Sequence, residues 1–179
     1  MVVLSSNNFQ KKDINLSKTQ IINKITADSF MNETTQPTVE NTIRENGFIG
    51  YIHKNDTIVS CGFGKEDTVK QNSKYKTMYI HTFSTDGNHR GNGYCEKLVK
   101  EFIKKFSKTH ILYLTVRTEN GNENLSAIHC YEKCGFIMLP SVYRDHYDGK
   151  NNCMIKIPND KNQKSKKKSK KRKSSKRRR

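Results

Sequence analysis

A chain of 179 residues, 32% hydrophobic and 28% charged, can bury one core and fits one domain with a tail better than two domains. Its formal charge of +17 is concentrated: positions 161–179 hold 13 basic and no acidic residues, leaving 21 basic against 17 acidic elsewhere. No apolar run approaches the roughly 18 residues of a bilayer span, and the first residues lack a basic start with a long apolar segment, so neither a membrane-inserted nor a secreted protein is expected.

The polar lead-in reaches about Asn15. Across 17–33, Ile21, Ile22, Ile25, Phe30 and Met31 recur at helical spacing, with Ser17 as a candidate cap. Pro37 marks a boundary, after which 38–46 predicts a short helix ending near Gly47. The period then changes. Positions 47–67 alternate apolar and polar residues about a turn at 54–56, which predicts a hairpin, and the polar stretch 68–76 reads as a loop. Positions 77–86 are β-branched and aromatic, hence a strand, and lead directly into "NHRGNGYCEKLV" at 88–99. Here Leu98, Val99, Phe102, Ile103 and Phe106 form an apolar helical face opposite lysines. Positions 110–119 predict a strand of the kind buried inside a sheet. A helix then begins near 122–124, with Ala127, Ile128, Tyr131 and Cys134 as its stripe and Gly135 as its stop. Short strands within 136–143 and 152–158 close a domain covering 1–159. The tail, 160–179, is low-complexity and expected to be disordered.

Cys61, Cys95, Cys130, Cys134 and Cys153 form an odd set without a CxxC pair, which predicts free thiols in a reducing, intracellular compartment. Cys130 and Cys134 stand one helical turn apart, but no second pair completes a zinc site, so no metal is expected and the cysteines read as small apolar residues.

The glycine turn between strand and helix raises the functional question. Free N–H groups in a helix's first turn favour an anion, and glycines let a ligand approach the backbone closely. The phosphate-loop pattern GxxxxGK[ST] fails, because Tyr94 and Cys95 follow Gly93; the dinucleotide pattern GxGxxG fails for want of a third glycine. A structural helix start and a pyrophosphate cradle both remain open on the turn alone.

Two motifs together carry a resemblance. Arg90, Gly93 and Cys95 occupy the pattern Q/R-x-x-G-x-G/A, with Cys95 departing from the expected Gly or Ala, and Asn124, Ala127, Tyr131, Gly135 and Phe136 match N-x-x-A-x-x-x-Y-x-x-x-G-F at every spacing. On these residues the chain resembles the GNAT superfamily of N-acetyltransferases. The resemblance implies an α/β (α+β) fold with a mixed, mostly antiparallel, splayed sheet flanked by helices, and transfer of an acetyl group from acetyl-CoA to a primary amine by direct attack on the thioester. It implies that Phe83, Ser84 and Thr85 lend backbone groups to the pantetheine arm and the thioester carbonyl, an oxyanion contact often worth several kcal/mol. It also implies that the amides from Gly91 through Asn92, Gly93 and Tyr94 to Cys95, with Arg90, hold the pyrophosphate, and that Asn124 helps hold the cofactor.

Tyr131 matches the family's tyrosine general acid. His81, nine residues before Arg90, resembles a catalytic histidine of the arylalkylamine N-acetyltransferases and is the candidate base, ahead of Asp86 and Glu119. The acceptor is expected to be a small amine, such as a polyamine, or a protein amino group, bound between segments 30–47 and 140–150, where Glu33, Glu40, Glu45, Asp145 and Asp148 supply acidic charge. The basic tail suits non-specific nucleic acid or a nuclear address and lacks aromatic residues for base stacking. A non-catalytic acyl-CoA-binding or nucleic-acid-tethering protein with the same fold is the alternative.

Overall fold

The computed structural model describes residues 2–5, 16–29, 38–67, 74–119, 122–140 and 151–158. The tail 160–179, Phe30, Met31, Glu33 and the segment 141–150 lie outside the described residues.

Strand β1 (Val2–Ser5) is followed by helices α1 (Leu16–Ser29) and α2 (Val39–Arg44), and then by the hairpin β2 (Phe48–Lys54) and β3 (Thr57–Glu66). Next come β4 (Lys76–Thr85), a 3-10 turn (Gly87–His89), α3 (Tyr94–Phe106) and β5 (His110–Val116). The small hairpin β6 (Thr118–Glu119) and β7 (Asn122–Glu123) precedes α4 (Leu125–Lys133), β8 (Ile137–Met138) and β9 (Asn152–Lys156). Seven strands form one sheet in the order β1-β2-β3-β4-β5-β9-β8, antiparallel except for the parallel pair β4 and β5.

Local chemistry accounts for most element ends. Thr38 caps α2 through its hydroxyl, which accepts from the Asn41 amide, and Asn124 caps α4 by accepting from the Ala127 amide. Asn55 and Asp56, both at positive φ, make the tight turn of the first hairpin. Three expectations need correction. Ser17 lies inside the first turn of α1 and does not cap it. The lead-in contains β1, paired with β2 along its whole length. The strand predicted over 110–119 stops at Val116, and its last two positions turn back as β6 against β7.

Two cores flank the sheet. On one face Ile22 and Ile25 of α1 and Val39 of α2 pack on Ile49, Tyr51, Cys61 and Phe63. On the other, Leu98, Val99, Phe102 and Phe106 of α3 and Ile128 and Tyr131 of α4 cover Met78, Ile80, Leu112 and Leu114. Helix α3 approaches the sheet over a patch of glycines. A Cβ on Gly50 or Gly64 would stand 2.8 or 2.9 Å from the Phe102 ring, and one on Gly62 would stand 2.5 Å from the Phe83 ring.

Strand β4 carries an irregularity opposite Gly62. Cys61 pairs with Ser84 and Phe63 with His81, so Thr82 and Phe83 together oppose the single residue Gly62. Thr82 takes φ +53, a left-handed conformation that a β-branched residue rarely adopts. Residues Gly62 and Phe83 thereby depend on each other: the bulge turns the Phe83 ring onto the α3 face, and only a glycine beneath leaves room for it. The substitution Gly62→Ala is expected to destabilise the fold by about 1–3 kcal/mol, the usual range for overpacking a core, read as a lower midpoint of denaturant unfolding. An unchanged midpoint would refute the interlock.

Candidate functional site

The parallel pairing of β4 with β5 runs from Lys76 opposite His110 to Tyr79 opposite Tyr113 and goes no further. Beyond it the two strands diverge, and a cavity of about 840 Å³ opens at their ends. Phe83, Ser84 and Thr85 of β4 form one wall, and the turn from Arg90 through Gly91, Asn92, Gly93 and Tyr94 to Cys95 forms a second. Asn124, Ser126, Ala127 and Cys130 of α4 form a third. All ten residues named from sequence as cofactor contacts therefore line one cavity. The reading missed Ser29, His89, Arg117, Ser126 and Cys130, which line it too.

The turn is held by its own side chains. Asp86 accepts from the Asn88 amide at 2.9 Å and pairs with His89 Nδ1 at 3.1 Å, contacts that hold its carboxyl below the usual range. Asp86 thus serves the turn, and it is not among the cavity lining. Asn92 Nδ2 donates to the carbonyls of His89 and Arg90 at 3.0 and 3.1 Å. Gly91 and Gly93 sit at φ +77 and +69, and a Cβ on either would meet nothing within 4 Å. These glycines are there for backbone conformation and for an open approach, not to relieve crowding. Gly93 occupies the N-cap of α3 without a side-chain hydrogen bond, which leaves the first-turn amides free of a competing cap. Arg90 Nε donates to the Thr85 carbonyl at 3.4 Å and so ties the turn to the end of β4.

Inside the cavity wall, Ser84 Oγ is buried without a hydrogen-bond partner among the described residues. Its neighbour in space, Ser60, bonds the Ser84 carbonyl at 2.8 Å and the Thr85 hydroxyl at 3.0 Å. The register sets the Ser84 side chain beside Cys61, on the α1 side of the sheet, so the hydroxyl is sealed from the cavity that the residue borders.

Neither candidate proton carrier is part of this lining. Tyr131 is buried on α4, its ring edge-on to Phe83 and Phe136 at 6.1 and 6.2 Å. Burial first, then Cys95, Cys130 and Tyr79, push its hydroxyl well above the ordinary tyrosine range. His81 lies on the opposite, α1-facing side of β4. It is half-buried, stacked on Tyr79 at 4.8 Å and near Phe63 at 6.0 Å, with Nδ1 3.0 Å from Thr82 Oγ1. Burial first and then the Lys65 charge lower its pKa to about 4, against a smaller opposing effect of Glu45.

Tyr79 also stacks on Tyr113 at 5.0 Å and bonds Thr115 Oγ1 at 3.0 Å, a side-chain bridge across the strands just past their last backbone pair. It joins the surroundings of His81 to those of Tyr131. Of the acidic residues expected near an acceptor, Glu40 is bonded by Asn23 and Glu45 by Lys65. No group of three or more potential metal ligands occurs among the described residues.

Residues 19–136 match the acetyltransferase (GNAT) family. N-alpha-acetyltransferase 30 of Saccharomyces cerevisiae is 29% identical over 80 residues, 45% of this chain and 44% of that protein, so the chain aligns with under half the length of this curated relative. Among solved structures, the ribosomal-protein-alanine N-acetyltransferase of Brucella melitensis superposes with a TM-score of 0.62 at 15% identity, covering 88% of this chain and 99% of that one. An aminoglycoside 6'-N-acetyltransferase complexed with coenzyme A superposes with a TM-score of 0.62 at 14% identity, covering 87% and 96%. With the family match spanning both motifs and the fold shared over most of the described chain, the protein belongs to the acetyltransferase (GNAT) family.

Proposed function

We propose that the protein is an acetyl-CoA-dependent N-acetyltransferase whose acceptor is the α-amino group of a protein or peptide N-terminus. The observation that carries the cofactor part is the cavity where β4 leaves β5. It joins an open glycine turn, an uncapped helix N-terminus with Arg90 beside it, and the unpaired end of β4 at Phe83, Ser84 and Thr85. The amides of 91–95 with Arg90 would hold the pyrophosphate, while Ser84, its strand neighbours Phe83 and Thr85, and Asn124 would hold the arm that carries the thioester. That thioester supplies the acetyl group, and the residues of this chain orient it and handle two protons.

Tyr131, kept protonated by its burial, is the proposed donor to the leaving thiolate. His81, its pKa lowered to about 4 and so unprotonated near neutral pH, is the proposed acceptor of the amine's proton, directly or through water. A base that weak suits an α-amine, which ionises near about 7.7–8.0, better than a lysine or polyamine nitrogen near about 10.4. The partial identity to an N-alpha-acetyltransferase supports the same acceptor class.

The deciding experiment measures thiol release from acetyl-CoA with free N-terminal peptides, the same peptides blocked at the amino end, and a panel of small amines. Release with free peptides alone is expected. Release only with small amines overturns the acceptor, and cofactor binding without any release favours a non-catalytic protein.

Three variants or profiles test the parts. Ser84→Ala should stabilise the ligand-free protein by about 1 kcal/mol, since it removes an unpaired buried hydroxyl, and should leave acetyl-CoA affinity within about twofold. Calorimetry showing a lower unfolding temperature would show that the hydroxyl is satisfied in the folded protein, and a tenfold loss of affinity would show that it reaches the cofactor. Tyr131→Phe should lower kcat on the order of 10²-fold with acetyl-CoA affinity within about twofold; equal turnover excludes Tyr131 as the acid. The pH profile of kcat/KM should rise with the amine near about pH 8. It should show no limb near 6.5, because His81, its pKa lowered to about 4 chiefly by burial, is already unprotonated in that range. A limb near 6.5 that vanishes in His81→Asn would show an ordinary, titrating histidine there.

A further inference from the structure

Three of the five cysteines gather where α3 meets α4. Cys95 sits in the first turn of α3 and Cys130 on α4, and their sulfurs lie 3.1 Å apart, with the Cys130 S–H directed at Cys95. Both residues are partly accessible and both line the cavity. Cys134, one turn further along α4, faces the Glu96 carbonyl at 3.9 Å. Cys61 is fully buried against Thr26 on the other face of the sheet.

A disulfide bond is about 2.05 Å long, so the two sulfurs need to close by about 1 Å. The chain beside Cys95 can supply that movement: Gly93 stands two residues earlier, at positive φ with open space around it. The pair bridges two helices 35 residues apart in sequence, so a bond there constrains how α3 and α4 face each other across the cavity.

We propose that Cys95 and Cys130 are a reversible oxidation site, closed to an intramolecular disulfide by peroxides or small-molecule disulfides, and that the closed form binds the cofactor less tightly. With a peroxide, the Cys95 sulfur takes one oxygen to become a sulfenic acid and one water leaves. The Cys130 thiol then displaces the hydroxyl, its proton leaving with it as a second water, and the S–S bond forms. Two thiols have lost two electrons to one peroxide. Thiol reductants reverse the step by exchange.

The contact with Cys134 lowers the pKa of Cys130, but its hydrogen bond to Cys95 and its burial outweigh this and raise it to about 12. Cys130 is thus the resolving partner and not the first site of attack. The bond draws the first turn of α3 toward α4 and shifts the amides that follow Gly93. By linkage, a cofactor that prefers the open form must also oppose oxidation. The cofactor consequence rests on the acetyl-CoA reading above; the disulfide does not.

The test oxidises the full-length chain with hydrogen peroxide and, separately, with oxidised glutathione, and maps non-reduced peptides by mass spectrometry. A Cys95–Cys130 linked peptide is expected, with free thiols falling from the five of the sequence by one pair and returning with dithiothreitol. Acetyl-CoA affinity should fall about tenfold on oxidation, and excess acetyl-CoA should slow the cross-link. Cys130→Ser should abolish the linked peptide. If that variant does not fold, the wild-type map alone decides the site. Linkage through Cys153 or between chains, or oxidation to sulfinic acid without a cross-link, overturns the site. A correct linkage with unchanged acetyl-CoA affinity overturns the coupling. A reduced chain that binds no acetyl-CoA overturns the proposed function and the coupling together, while the peptide map still decides the disulfide.

Discussion

Strand β4 pairs with β5 only as far as Tyr79, and the rest of the site is arranged around that divergence. A parallel pair that continued to Thr85 would close the space now lined by Phe83, Ser84 and Thr85. Two features keep it open. The bulge at Thr82 and Phe83 adds one residue to β4 against β3 and bends the strand. The Tyr79 hydroxyl, bonded to Thr115, ends the contact with β5 by a side-chain bridge where backbone pairing stops. A left-handed β-branched residue costs on the order of 1–3 kcal/mol, so Thr82 persists only because the surrounding packing determines it.

That packing is the glycine patch. Gly50, Gly62 and Gly64 remove the side chains that would hold α3 away from β2 and β3, and Phe102 and Phe83 occupy the space. Leu98 and Phe102 therefore set the depth of α3, and its first turn follows from their position. The same seat that buries the helix thus places its uncapped N-terminus at the mouth of the cavity. Fold stability and site geometry share residues here, which is why a change as small as one methyl at Gly62 bears on both.

The parts of this arrangement that were legible in the sequence are the local ones. Spacing within ten residues revealed the hairpin, the apolar face of α3, the stop at Gly135 and the turn from Arg90 to Cys95, because each is set by periodicity or by a glycine at positive φ. What escaped is set across the sheet. The bulge is a mismatch between 61–63 and 81–84, and neither segment alone announces it. Strand β1 is four residues in a polar lead-in, too short to show a period, and exists by pairing with β2. Arg117 reads as the end of a strand until the cavity is seen beside it. Cys95 and Cys130 read as two small apolar residues, and only the docking of α3 on α4 brings their sulfurs into contact.

Burial acts in opposite directions on the two candidate proton carriers, and this is what ties the proposed function to one class of amine. At Tyr131 it disfavours the phenolate and holds the proton on; at His81 it disfavours the imidazolium and holds the proton off. Each group stays neutral at physiological pH, and the donor and acceptor roles proposed for them are separated by environment and not by residue type. Neutrality has a cost for the acceptor. A histidine ionising near 4 receives a proton from an amine ionising near 8 about four pH units uphill, and from one near 10.4 more than six. Each unit is worth about 1.4 kcal/mol, so the difference between the two amines is about 3 kcal/mol, or roughly two orders of magnitude in rate if it is fully expressed. A peptide N-terminus is already partly deprotonated in the neutral range, so for the proposed acceptor much of that work would be done by solvent before the amine met the histidine.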